Sequence, residues 1–166
     1  ISGFIFNQLK RLVPASFQSN DLSKIYNYHD IPGLFTTSGQ PNRYQLKLIA
    51  QNGYDVVINL APSSVLEGSV IHEAEILTAN KVKYIHIPVN FNKPKKEDFL
   101  KFVKSIEENK DKKIWIHCAA NMRVSAFVYK YRKDVLKLPH DQIISDMESI
   151  WTPNKIWNSF LELKID

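Results

Sequence analysis

The chain has 166 residues, 44% hydrophobic and 23% charged, ordinary globular usage that excludes disordered, collagen-like and coiled-coil classes. A single cysteine, Cys118, excludes an internal disulfide framework and a multi-thiolate metal cage. Lys and Arg outnumber Asp and Glu by 22 to 17, for a net charge of +5, a mild excess that favours anionic ligands in general without marking a nucleic-acid binder.

The first 13 residues place Phe4, Ile5, Phe6, Leu9, Leu12 and Val13 at near-helical spacing, without a small-residue cleavage site. They predict a short amphipathic helix packed on the domain, inside an N-terminal helical extension over residues 1–27, with surface association as the alternative. No segment approaches the roughly 20 apolar residues of a bilayer span, so no stable membrane insertion and a cytoplasmic location are expected. A first strand is predicted over 34–37, closed by Ser38-Gly39-Gln40-Pro41, where Gly39 frees the backbone and Pro41 suits a first helical turn. A helix over 42–51 follows, with Leu46, Ile49 and Ala50 on one side and Asn52-Gly53 as its stop.

Residues 55–60, Asp-Val-Val-Ile-Asn-Leu, are apolar enough for a strand covered on both faces. After a loop at 61–64, a helix is predicted over 67–80 with Ile71, Ala74 and Leu77 aligned. Strand 83–89 ends near Pro88, and the polar loop 90–94 leads to a helix over 95–109 that turns Phe99, Phe102, Val103 and Ile106 inward. Residues 113–117 form the third clear strand, and a helix over 123–136 follows it. The tail, 139–166, reads as two helices broken near Pro153, with Trp151, Trp157 and Phe160 in the core. This alternation predicts an α/β fold over a single domain, 1–166, with a mainly parallel central sheet and helices on both faces. Ligands of such sheets sit beyond the carboxyl ends of the strands, the rim shared by Cys118 and Asn59.

The chemistry concentrates where the third strand ends, at His117-Cys118-Ala119-Ala120-Asn121-Met122-Arg123-Val124-Ser125. A strand running into a cysteine, a loop of small residues and a helix start give a thiol two reasons to ionise: inward N–H groups and the positive end of the helix. Free cysteine titrates near about 8.5, and such surroundings lower it to roughly 3.5–7.5. The same nest would cradle a phosphoryl group, with Arg123 as a bidentate clamp. The plain alternative is a small buried apolar cysteine. His117 reads as a supporting residue that holds the loop by hydrogen bonds. His72 and His86 have no partners at ligand spacing and read as structural or exposed. No metal site and no cofactor are indicated.

His117-Cys118 with Arg123 and Ser125 resembles the phosphate loop of cysteine-dependent protein tyrosine and dual-specificity phosphatases. Together with Thr37-Ser38-Gly39-Gln40-Pro41, the 53–60 segment and Tyr84-Ile85-His86-Ile87-Pro88-Val89, it more closely resembles the bacterial phosphatase-like domain of beta-lactamase-hydrolase-like proteins. The resemblance implies a cysteine-phosphatase-like fold, a Cys118 nucleophile and phosphate binding by Ala119, Ala120, Asn121, Met122 and Arg123. It also implies a Ser125 hydroxyl that helps the thiolate leave, and a phosphorylated protein or small molecule as substrate. Two departures stand out: Arg123 falls five residues after the cysteine where the phosphatase pattern has six, and Asn90 stands where the family supplies an Asp acid. The five-residue spacing also resembles rhodanese-like sulfurtransferases, which would place a persulfide on Cys118. A phosphate-binding module of low turnover is the third reading.

Overall fold

The computed structural model describes residues 5, 18–64, 66 and 69–165. The expected amphipathic helix of the first 13 residues lies almost wholly outside them. In chain order come β1 (His29–Ile31), β2 (Phe35–Ser38), α1 (Arg43–Gln51), β3 (Val56–Asn59), α2 (Glu73–Ala79), β4 (Lys83–His86), α3 (Lys96–Glu107), β5 (Ile114–His117), α4 (Met122–Asp134), α5 (His140–Glu148) and α6 (Lys155–Leu161). The strands form one sheet in the order β1-β2-β5-β3-β4. All neighbours are parallel except β1, which pairs antiparallel with β2 along one edge.

Side-chain alternation divides the core into two layers. Along β3 and β5, Val56, Ile58, Ile114 and Ile116 join Phe99, Phe102, Phe127, Ile143 and Trp157 from α3, α4, α5 and α6. Val57 and Trp115 point the other way, onto Leu46 and Ile49 of α1 and Ile76 and Leu77 of α2. Helices thus cover both faces, and every residue of β3 and β5 is buried. Edge strand β4 leaves Lys83 and His86 exposed.

Several boundaries follow from local chemistry. Asn42 begins α1 with a reciprocal capping box to Gln45, so Pro41 precedes the cap instead of occupying the first turn. Gly53, at φ +79°, carries the left-handed stop after α1. The helix expected from residue 67 starts only at Glu73, because His72 adopts φ +62°, and Ile71 is 73% exposed instead of aligned with buried Leu77. Gly39 serves a purpose other than turning: a Cβ there would lie 2.7 Å from Tyr26 Cδ1 and 2.9 Å from the Ala119 carbonyl. Only glycine allows the β2–α1 turn to sit this close to the cysteine loop.

Candidate active site

Cys118 lies at the carboxyl end of β5, between the two middle parallel pairings of the sheet. It is 1% exposed and packs with the apolar layer beneath α4. The loop that leaves it is fixed on its outer side by three neighbours. The Gln40 N–H donates to the Ala119 carbonyl at 3.1 Å, and the Cys118 N–H reaches the Ser38 carbonyl at 3.4 Å. Asn27 Nδ2 donates to the Ala120 carbonyl at 3.0 Å.

Asn121 then reverses the chain at φ +63°, ψ +2°, a left-handed conformation that Asn tolerates better than most residues. Its side chain does not cap α4. It donates instead to the Asn27 carbonyl at 2.8 Å and to Thr37 Oγ1 at 3.0 Å. The first turn of α4 therefore takes no cap from its own N-cap side chain at its positive end. Peptide planarity adds two more donors. The Ala119 carbonyl is held by Gln40, so the Ala120 N–H of the same peptide points away from that turn. The Cys118 carbonyl faces His117 Nδ1 at 3.4 Å, so the Ala119 N–H points away from the imidazole.

Arg123, in the first turn of α4, is 3% exposed, and its guanidinium carbon lies 5.5 Å from the Phe91 ring centroid. Phe91 belongs to the β4–α3 loop, which α6 clamps from behind. Trp157 Nε1 donates to the Phe91 carbonyl at 2.9 Å, and the Phe91 ring packs 5.6 Å from both Trp151 and Trp157. Asn90, where the resemblance leads one to expect an acid, folds into its own loop: Oδ1 accepts the Asn92 N–H at 2.9 Å, an Asx turn. Ser125 donates to the Met122 carbonyl at 3.0 Å and accepts from Trp151 Nε1 at 3.1 Å, which engages its hydroxyl at the loop–helix junction.

His117 reveals a partner that sequence reasoning missed. Its Nε2 lies 2.5 Å from Glu73 Oε1, with both side chains buried, and Gln40 Nε2 donates to Glu73 Oε2 at 3.1 Å. Burial pushes the Glu73 carboxyl up. The charge and hydrogen bond of His117, the Gln40 amide and the charge of His86 outweigh burial and hold it below its ordinary value. The sequence does hold a signal: Glu73 falls on the buried stripe of α2 with Ile76 and Leu77, where an unpaired acid would be costly. His86 stacks on Tyr84 and bonds the Ala61 carbonyl, while His72 is exposed and pairs with Glu75.

A cleft of about 450 Å³ opens beside the loop, lined by Asn59, Ser63, His72, Glu73, Tyr84 and His86 among others, with Cys118 outside its walls. Among the described residues no cluster of three or more His, Cys, Asp and Glu fits a metal ion. Nor is any helix among them long and apolar enough to cross a membrane.

A parallel sheet with a cysteine loop feeding a helix N-terminus and a following arginine is the arrangement of cysteine-based phosphatases. Residues 13–155 match the family model described as a dual-specificity-type phosphatase fused to NAD+ kinase. The chain belongs to that family, and so to the protein tyrosine and dual-specificity-like phosphatases among the hydrolases. It is 33% identical to a candidate phosphatase (DUF442) from Shewanella putrefaciens CN-32, with a TM-score of 0.74 over 84% of this chain and 91% of that one. The fold is also that of the core catalytic domain of the PP-IP phosphatase SIW14 from S. cerevisiae, at 14% identity and TM-score 0.69, covering 84% and 86% of the two chains. P. aeruginosa TpbA, solved in complex with pTyr, gives 14% identity and TM-score 0.65, covering 89% and 88%. No curated protein sequence matches the chain.

Proposed function

We propose that this chain hydrolyses phosphomonoesters, on a protein or a small molecule, through a phosphocysteine at Cys118. The observation that carries the proposal is the loop from Cys118 into the start of α4, with Asn121 turned away from the cap and Arg123 buried beside it. In this reading the Cys118 thiolate attacks phosphorus, and an S–P bond forms as the ester P–O bond breaks. Arg123 and the N–H groups of Ala119, Ala120 and Met122 hold the equatorial oxygens, where charge spreads in the transition state. Asn90 has no proton to give, so the leaving oxygen takes one from water. Water then attacks the phosphocysteine; a P–O bond forms, the S–P bond breaks, and thiolate and inorganic phosphate are released. His117 holds the loop from behind. Ser125 holds its junction with α4, and its hydroxyl helps the thiolate leave together with the helix field and Arg123.

A missing acid costs about 10²–10⁴-fold where the leaving group needs protonation. The test is therefore a comparison of an aryl phosphate, an alkyl phosphomonoester, and thiosulfate with cyanide. The proposal expects turnover of the aryl ester, alkyl turnover at least about a hundredfold slower, and loss of both in Cys118→Ser. Thiosulfate turnover that needs Cys118, with no aryl phosphatase activity, would replace it with the sulfur transfer that the five-residue Cys118–Arg123 spacing favours. Vanadate binding without any turnover would leave a phosphate-binding module.

A further inference from the structure

We infer that Glu73 is a positioning residue for the Cys118 loop, acting through His117; the inference rests on the reading of Cys118 as the nucleophile. Glu73 and His117 are 5% and 0% exposed and come together from positions 44 residues apart. Both imidazole nitrogens face oxygen: Nε2 meets Glu73 Oε1 at 2.5 Å, and Nδ1 meets the Cys118 carbonyl at 3.4 Å. Both contacts are satisfied only with a proton on Nδ1, either with a second proton on Nε2 against an ionised Glu73 or with Nε2 accepting from the protonated acid. The depressed carboxyl of Glu73 agrees with the first of these.

Two consequences reach the thiol. The proton on Nδ1 orients the Cys118–Ala119 peptide, which turns the Ala119 N–H away from His117 and towards the loop interior. The pair is neutral as a whole, but its positive end is the one next to Cys118, so it favours a thiolate there. Gln40 completes the frame. Its side chain holds Glu73 Oε2, and its backbone N–H holds the Ala119 carbonyl. One residue thus links the carboxylate to the loop's outer edge. A buried ion pair contributes little net stability compared with apolar packing, so its place behind the loop is best accounted for by orientation. The titratable groups that face Glu73 are His117 from β5 and His86 and Tyr84 from β4. Of these, His86 Nε2 is committed to the Ala61 carbonyl and the Tyr84 hydroxyl to Asn59.

The test is the rate of Cys118 alkylation by iodoacetamide across pH in the full chain and in Glu73→Gln and Glu73→Asp, together with 15N NMR of His117. In the unsubstituted protein the 15N spectrum should show a proton on His117 Nδ1, the nitrogen that faces the Cys118 carbonyl. Glu73→Gln should slow alkylation about tenfold near neutral pH, with the deficit closing by about pH 9–10, and Glu73→Asp should recover part of the rate. A deficit that is the same at every pH, no deficit at all, or a His117 ring with no proton on Nδ1 would overturn the inference. If Glu73→Gln does not fold, the His117 spectrum of the unsubstituted protein decides alone. The phosphatase reading fails separately, by an inert Cys118 in the unsubstituted chain.

Discussion

Replacing Trp157 with Phe should weaken the fold and the site together, because one indole joins them. Trp157 is fully buried. Its Nε1 donates to the Phe91 carbonyl at 2.9 Å, and Phe91 in turn lies against the Arg123 guanidinium. Phenylalanine loses that donor and leaves the Phe91 carbonyl without it, at about 1–3 kcal/mol. The smaller ring gives up roughly 1 kcal/mol of apolar burial. The total is about 2–4 kcal/mol, or about 5–15 °C in Tm for a chain of this size. Loosening Phe91 should also weaken its contact with Arg123, worth up to about 1 kcal/mol, and lower kcat/KM for an aryl phosphate about fivefold. Urea and thermal unfolding read the first effect, and steady-state kinetics the second. Ile156→Ala, on the exposed face of the same helix, is the control and should change stability by less than about 0.5 kcal/mol. A Trp157→Phe protein with unchanged Tm and unchanged kcat/KM would refute the claim that α6 braces the loop.

Three further outcomes follow from the same geometry. Arg123→Lys keeps the charge but loses the fork, and should lower kcat/KM about 10–100-fold, in line with one charge-assisted hydrogen bond; vanadate inhibition should weaken in parallel. Gly39→Ala would force its Cβ against Tyr26 and the Ala119 carbonyl, and should cost about 1–3 kcal/mol while raising the inhibition constant for phosphate, read by urea unfolding and inhibition kinetics. The Glu73 carboxyl sits below its ordinary value of 4.5, so its contribution to stability is present above about pH 4.5 and lost as pH falls through the lower folded value. Urea stability measured from about pH 6 down to about pH 3 should therefore fall more steeply in the unsubstituted protein than in Glu73→Gln.

Most of the sheet is legible from residues alone. The runs Val56–Asn59 and Ile114–His117 are apolar on both sides because helices cover both faces, and Phe99, Phe102 and Ile106 mark the inner face of α3. Strand β1 escapes because its three residues, His29, Asp30 and Ile31, form a half-exposed edge held by pairing with β2. The start of α2 escapes because His72 adopts a left-handed backbone that its residue type does not announce. At the site, the Cys118–Arg123 loop is read from contiguous residues. Glu73 and Asn27 come to it through tertiary packing, and no spacing rule connects positions that far apart. Trp151 and Trp157 are legible as buried aromatics, but their polar duties towards Ser125 and Phe91 depend on where α5 and α6 come to rest.

In the proposed reaction Cys118 carries the phosphoryl group between substrate and water. Rapid acid quenching during aryl phosphate turnover, followed by peptide mass spectrometry, tests it directly. One phosphoryl group should be found on the peptide that holds Cys118, retained in acid and absent from Cys118→Ser. Steady turnover that leaves Cys118 unmodified at every quench time, or that continues in Cys118→Ser, would contradict it.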